Sequence, residues 1–377
     1  MHHPRTVGAL MDEIREHHVE FDITAAEAER QGTAPDALDA LMRRLRVPMI
    51  KAPLEVGGDH LHLADQFRYF SALSYANPTA AWAGFNHAGA AAMAGARLGR
   101  EGLDIVFGDN PAPIIAAVSA PTGTFLPVDG GVRVTGTWKY ASGVKHSDFA
   151  LLTAIEAGAE QPRVRIVIVR TREARVDNDW DVMALKGTGS FTIHVDDVFV
   201  PDAMVLDPLE APRRGGPMFK TGYQAYVAGE NLGFTMGVCQ RFMDELATYA
   251  NAKARGFDGR LADRGAFQYE FGKGQLAIDA ARAFATKSFE EADATLLAGH
   301  ILSTQQQQYV VSAMAWCTES AANTVSHLFH FAGAGALFNS SILQRCFRDA
   351  HGSVQHHVAS NIAYDRFGQS LLATTAL

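Results

Sequence analysis

What is scarce in this chain of 377 residues narrows its function class before any motif is read. Cysteine occurs three times, as Cys239, Cys317 and Cys346. An odd count at wide spacing builds neither a disulfide framework nor a cysteine-based zinc site, so a reducing, cytoplasmic setting without a metal centre is expected. The N-terminus has no apolar h-region, so no secretory signal is expected. No apolar run reaches the roughly 20 residues of a membrane-spanning helix. The Ala-rich stretch around residues 88–98 is too short and too interrupted by Gly. Cations are outnumbered, 33 Lys and Arg against 41 Asp and Glu, for a formal net charge of −8. Phosphate backbones require clustered cations, and short runs such as Arg43-Arg44-Leu45-Arg46 lie in an amphipathic stretch that reads as a solvated helix face. Neither a membrane nor a nucleic acid is therefore an expected partner.

Several chemical signatures are absent as well. There is no Walker A sequence, no HExxH zinc motif and no Gly-x-Ser-x-Gly nucleophile elbow. Gly333-Ala334-Gly335 lacks the third glycine of a dinucleotide fingerprint and follows no strand-like run, which argues against a Rossmann site.

What is present is a large apolar content, 47% of residues, arranged in three zones of different texture. Residues 1–112 read helical, with Leu38, Leu41, Met42 and Leu45 at helical spacing and Pro78 placed to open a helix. Residues 113–210 change to short β-branched runs: Ile114 to Val118, Val132 to Val134, Ala150 to Ile155, Arg165 to Arg170 and Phe191 to Val195. Asp129-Gly130-Gly131 is a hairpin turn between two of them. Seven or so short strands in one segment predict a small antiparallel β-domain. Residues 211–377 return to helix, with long candidates at 222–254, 264–298 and 301–331. The expected organisation is a mostly α chain with a middle β-domain.

Three segments in this order resemble the acyl-CoA dehydrogenase superfamily: GTWKYASGVKHSD at 136–148, DWDVMALKGTGSFTIHVDDVFVP at 179–201 and FAGAGALFNSSILQRCFRD at 331–349. The resemblance spans nearly the whole chain. It implies an N-terminal helical domain, a β-barrel-like domain, a C-terminal four-helix bundle and a homotetramer. It also implies a flavin. Trp138 would wall the ring, and Ser142 would hydrogen-bond its edge. The loop Gly187-Thr188-Gly189-Ser190 would offer close backbone approach. Gly333 and Gly335 would lie in the segment that reaches a flavin across a subunit interface, and Arg255 would sit near the place of a pyrophosphate-binding Arg. A flat apolar ring with polar edges suits an aromatic wall and free backbone donors.

That superfamily holds two chemistries, and the resemblance is closer to the second. Its dehydrogenases use a Glu about nine residues after an Arg-Asp pair. Here that stretch reads RDAHGSVQHHVAS, 348–360, with His356 and His357 at or beside the Glu position. An imidazole is a poor base for a weakly acidic α-proton but a good donor, acceptor or orienter for a phenol-like substrate. ANPTAAWAGFNHAG, 76–89, resembles the N-terminal helix of the monooxygenase branch and places His87 on the substrate side. The expected activity is therefore a two-component, reduced-flavin-dependent monooxygenase. It would take reduced FMN or FAD by diffusion from a separate NAD(P)H:flavin reductase. With dioxygen it would form a C4a-(hydro)peroxyflavin and hydroxylate a small aromatic or polyketide-like substrate, or an amine. The expected catalytic residues are His87, Ser142, His356 and His357. The alternative is an acyl-CoA dehydrogenase with Glu230 as its base, although Asn231 stands where that pattern has Arg.

Overall fold

The computed structural model describes residues 3–254 and 259–374. Six helices come first: α1 (Val7–Glu16), α2 (His18–Gln31), α3 (Asp36–Arg44), α4 (Leu63–Ala76), α5 (Pro78–Arg97) and α6 (Arg100–Phe107). Seven strands follow: β1 (Ile115–Val128), β2 (Gly131–Ala141), β3 (Phe149–Glu156), β4 (Val164–Arg170), β5 (Arg175–Val176), β6 (Phe191–Pro201) and β7 (Val205–Leu206). Among the described residues six further helices follow: α7 (Tyr223–Tyr226), α8 (Ala228–Ala252), α9 (Gly265–Leu297), α10 (Thr304–Ala332), α11 (Ile342–Val354) and α12 (Ile362–Thr374). Among the described residues no helix is long and apolar enough to cross a membrane, and no cluster of His, Cys, Asp and Glu is disposed to hold a metal ion.

Two compact units partition these elements. The first comprises Met1–Leu61, Thr79–Val182 and Lys186–Lys220; the second comprises His62–Pro78, Met183–Leu185 and Thr221–Leu377. Helix α4, from the N-terminal zone of the sequence, thus belongs with the C-terminal helices.

In the first unit the strands form one sheet in the order β5-β6-β2-β1-β3-β4-β7. Gly130, with φ +74°, turns β1 into β2 and sets the antiparallel register Val128↔Gly131. The purely antiparallel expectation needs correction. After the turn at 142–148 the chain enters on the other side of β1, so β3 runs parallel to it, with Ile115 beside Phe149. The small residues Ala90, Ala91 and Ala94 of α5 share the core with this sheet's apolar residues. A helix lined with Ala approaches a sheet closely, so the polar residues it carries are brought close as well.

The second unit is helical. Its tightest contact joins α4 and α8 through Gly229, Gly233 and Gly237, spaced four apart on one face of α8. A Cβ at Gly229 would stand 2.4 Å from the Leu63 carbonyl oxygen, and one at Gly237 would stand 2.0 Å from Ser74 Oγ. Only hydrogen fits there. Helix α10 starts with a reciprocal cap: Ser303 Oγ accepts from Gln306 N at 3.2 Å, and Gln306 Oε1 accepts from Ser303 N at 2.9 Å. This gives the brief Gln run at 305–308 a structural use.

Candidate functional site in the first unit

The polar centre of the first unit is built from α5, the bulged end of β2 and the turn before β6. The β2–β6 register shifts between Trp138 and Ala141, which places Lys139 and Tyr140 in a bulge. Tyr140 has φ +67°, a strained conformation for a bulky residue, and its ring is 70% exposed, edge-on to Trp180 at 6.2 Å. Strain of about 1–3 kcal/mol persists where the surrounding structure over-determines it, and such positions concentrate at ligand sites. Nothing in the sequence signals that backbone angle. The one legible cue is an aromatic residue two positions before Ser142.

Ser142 itself is buried and lies in hydrogen-bond contact with Ser190, Oγ to Oγ 2.8 Å. Ser190 Oγ in turn lies 2.7 Å from Thr188 Oγ1. The two turns are tied together by the Gly143 N–H, which donates to the Thr188 carbonyl at 2.9 Å. Ser142, Thr188 and Ser190 are thus brought together through their hydroxyls.

His87 adjoins the same turn. Its Nδ1 lies 3.0 Å from the Ile115 carbonyl oxygen. A carbonyl only accepts, so this nitrogen carries the proton and the lone pair is on Nε2. A Cβ on Gly143 would stand 2.5 Å from that Nε2, so glycine is required for the imidazole to reach the turn after Ser142. Burial pushes the His87 pKa down to about 4, against the upward pull of the Ile115 carbonyl; Arg43 and His146 add to the downward shift. His87 is therefore neutral at pH 7. Arg43 braces this region by donating to Asp148 at 2.8 Å and to the His146 carbonyl at 2.8 Å.

Three sequence expectations change here. Trp138 is fully buried within the sheet, where Gly123 and Gly136 make room for its ring and its Nε1–H donates to the Thr153 carbonyl at 2.8 Å. Its indole is enclosed by the chain, and the exposed aromatic at this end of β2 is Tyr140, two positions before Ser142. Gly187 and Gly189 do allow close approach, but to the chain itself. A Cβ on Gly187 would stand 2.1 Å from Thr79 Oγ1, and one on Gly189 would stand 2.7 Å from Thr33 Oγ1. Their room is used for packing.

The remaining candidates belong to the second unit. His356 is half-buried and His357 exposed, with their rings 4.6 Å apart. Burial, with a smaller contribution from His357, lowers the His356 pKa to about 3. His357 stacks on Tyr223 at 5.9 Å with the planes 3° apart, and burial lowers its pKa too. Glu230 is buried in the first turn of α8, where the helix dipole favours a carboxylate. Gly333 ends α10 with φ +69°, and a Cβ on Gly335 would stand 2.7 Å from Tyr249 Oη. That phenol donates to the Ala332 carbonyl at 2.7 Å, and Lys253 Nζ donates to the same oxygen. Both glycines thus make room for the chain's own Tyr249 and Lys253. Arg255 lies outside the described residues.

The first unit's residues fit one edge of a flavin ring. Tyr140 offers an exposed aromatic face, Ser142 a hydroxyl at the same turn, and His87 a neutral imidazole behind it. Residues 232–361 match the family described as "Acyl-CoA dehydrogenase, C-terminal domain". The oxygenase subunit HsaA of a flavin-dependent monooxygenase from Rhodococcus jostii is 30% identical over 266 residues, covering 67% of this chain and 69% of that one. Indole-3-acetate monooxygenase of Pseudomonas putida is 26% identical, covering 96% of this chain and 91% of its own length. In fold, XiaF from Streptomyces, solved with FADH2 and glycerol, superposes with a TM-score of 0.89 at 24% identity, over 97% of this chain and 96% of that one. Relatives over nearly the full length are monooxygenases rather than dehydrogenases, and the chain belongs to the flavin-dependent monooxygenases of the acyl-CoA dehydrogenase superfamily.

Proposed function

We propose that the chain is the oxygenase component of a two-component system that hydroxylates a small aromatic substrate, using reduced FMN or FAD delivered by a separate reductase. The single observation that carries this reading is the juxtaposition of a neutral, buried His87 with the Ser142–Gly143 turn and the exposed, strained Tyr140. Reduced flavin, when bound, supplies the electrons that activate dioxygen. The chain's residues do the rest. Tyr140 packs against the ring, and Ser142 hydrogen-bonds its edge. His87 Nε2, with its lone pair free of a proton at pH 7, accepts a hydrogen bond from a phenol-like substrate and orients it. His356 and His357 keep the part in proton transfer that the family resemblance implies. The aromatic preference is supported by the named substrate of the indole-3-acetate enzyme. Exposed apolar side chains on α9 and α10, including Tyr269, Leu276 and Trp316, support self-association, which the family resemblance puts at a homotetramer, and a cytoplasmic setting rests on the scarcity of cysteine alone.

The test is a coupled assay of the purified chain with a flavin reductase, NADH, labelled dioxygen and a panel of phenols and indoles. One labelled oxygen atom in the product is expected, with no NADH oxidation by the chain alone. Yellow protein that bleaches with an acyl-CoA and fails to hydroxylate any phenol or indole would return the assignment to the dehydrogenase with Glu230 as base.

A further inference from the structure

We propose that Ser190 and Thr188 are positioning residues that let the Ser142 hydroxyl reverse its hydrogen-bond direction, so that it can meet both the reduced and the oxidised edge of the flavin. The inference rests on the reading that Ser142 faces that ring.

Three hydroxyls stand in line, Ser142 Oγ to Ser190 Oγ at 2.8 Å and Ser190 Oγ to Thr188 Oγ1 at 2.7 Å. All three residues are buried, at 4%, 4% and 1% exposure. Each hydroxyl has one proton to give and lone pairs to accept with. In such a row the protons point all one way or all the other. Reversal needs only rotation about the C–O bonds, with no heavy atom displaced. A carboxylate, a backbone N–H or an ammonium at the same place would have a fixed polarity.

The flavin ring nitrogen at this edge changes polarity with oxidation state. It carries a hydrogen when the ring is reduced and a lone pair when the ring is oxidised. Toward the reduced form, Ser142 accepts from the ring and passes its own proton to Ser190, which points on to Thr188. Toward the oxidised form, the row runs from Thr188 to Ser190 to Ser142, and Ser142 donates to the ring. Without Ser190 the second arrangement survives, because Ser142 still has an acceptor in the ring. The first does not, because the Ser142 O–H would be buried with no acceptor. Ser190 therefore favours the reduced flavin, the form the enzyme must receive and hold. The two turns keep their spacing independently through the Gly143 N–H to Thr188 carbonyl bond, so removing one hydroxyl leaves the backbone arrangement in place.

The experiment is anaerobic titration of wild type and Ser190→Ala with FMN and FAD, each in oxidised and dithionite-reduced form. Loss of an acceptor for a buried donor predicts about tenfold weaker binding of reduced flavin, with oxidised flavin changed by less than about twofold. The bound flavin's potential then falls by about 30 mV, the two-electron equivalent of a tenfold difference. Ser190→Thr retains the hydroxyl and should restore the wild-type ratio, and Thr188→Val should shift it in the same direction as Ser190→Ala. Equal weakening of both forms by Ser190→Ala, or no change in either, overturns the proposal. Ser142→Ala separates the two levels of inference. If it alters flavin binding while Ser190→Ala does not, the relay alone is wrong. If it alters neither form, Ser142 does not face the ring, and the parent reading falls with the relay.

Discussion

Glycine and histidine serve different ends in the two units. In the first, Gly143 is glycine so that an imidazole can approach a turn, and Tyr140 holds a backbone angle that glycine would hold more easily. In the second, Gly229, Gly233 and Gly237 are glycine so that two helices can touch, with the Leu63 and Phe67 carbonyls, Ser71 and Ser74 packed against them. The imidazoles differ similarly. His87 is kept neutral by burial while anchored to a carbonyl, whereas His356 is kept neutral by burial beside a second imidazole. One region keeps a strained residue and a buried polar row beside a neutral imidazole. The other removes side chains until the scaffold closes.

The largest effect should come from the imidazole of the first unit. His87→Ala is expected to lower hydroxylation by roughly 10²- to 10⁴-fold, about 3–5 kcal/mol of barrier, with reducing equivalents diverted to hydrogen peroxide. Product and peroxide yields per reduced flavin check this. Retention of full coupling in that variant would leave Tyr140 and Ser142 as the site without an orienting imidazole. His356→Ala in the same assay shows whether the second unit's imidazole matters equally.

Acidification probes the same pair through stability. Both histidines have folded pKa values below the ordinary 6.5, at about 4 and about 3. The unfolded chain therefore binds these protons first, and the stability tied to neutral imidazoles is present above pH 6.5 and lost as pH falls toward 4 and then 3. Asp293 works oppositely. Burial raises its carboxyl to about 6 despite hydrogen bonds from Leu63 N at 3.0 Å and Ala64 N at 2.8 Å, so its contribution increases on acidification from 6 toward its ordinary 3.8. Denaturant melts between pH 7 and 4 should show a shallower loss of stability for His87→Asn than for wild type. An identical slope would mean that His87 is solvated or charged in the folded chain.

A smaller effect is expected at the helix contact. Gly237→Ala places a methyl against Ser74 Oγ and the Ser71 carbonyl, and overpacking of this kind costs about 1–3 kcal/mol. Thermal melting should register it while turnover per folded molecule stays near wild type. The smallest change is at Tyr140. Tyr140→Gly should stabilise the fold by about 1 kcal/mol through relief of the positive φ, yet weaken flavin binding. A variant both less stable and normal in flavin affinity would show that Tyr140 is a packing residue.

Much of this was legible in the order of residue types. The strand runs around Val132, Ala150, Arg165 and Phe191 lie on β2, β3, β4 and β6, and the three long helices of the last zone match α8, α9 and α10 to within a few residues at most ends. Local periodicity and turn residues suffice for that, because they act within a few positions of each other. The pairing of β3 with β1 was not legible, since parallel neighbours depend on where a connection crosses rather than on composition. Nor was the placement of α4 among the C-terminal helices, which depends on Gly229, Gly233 and Gly237, far along the chain from it.

The segments at 136–148 and 76–89 pointed to Ser142 and His87 through the family resemblance, and the fold brings His87 to the turn that follows Ser142. Which aromatic of the motif would be exposed was decided by tertiary structure. Trp138 and Tyr140 are two positions apart on one strand, and alternation alone would put both on the same face. The β2 bulge breaks that rule, sinking the indole over Gly123 and Gly136 and turning the phenol outward. A bulge is a compromise between two strands' registers, and neither strand's own residues encode it.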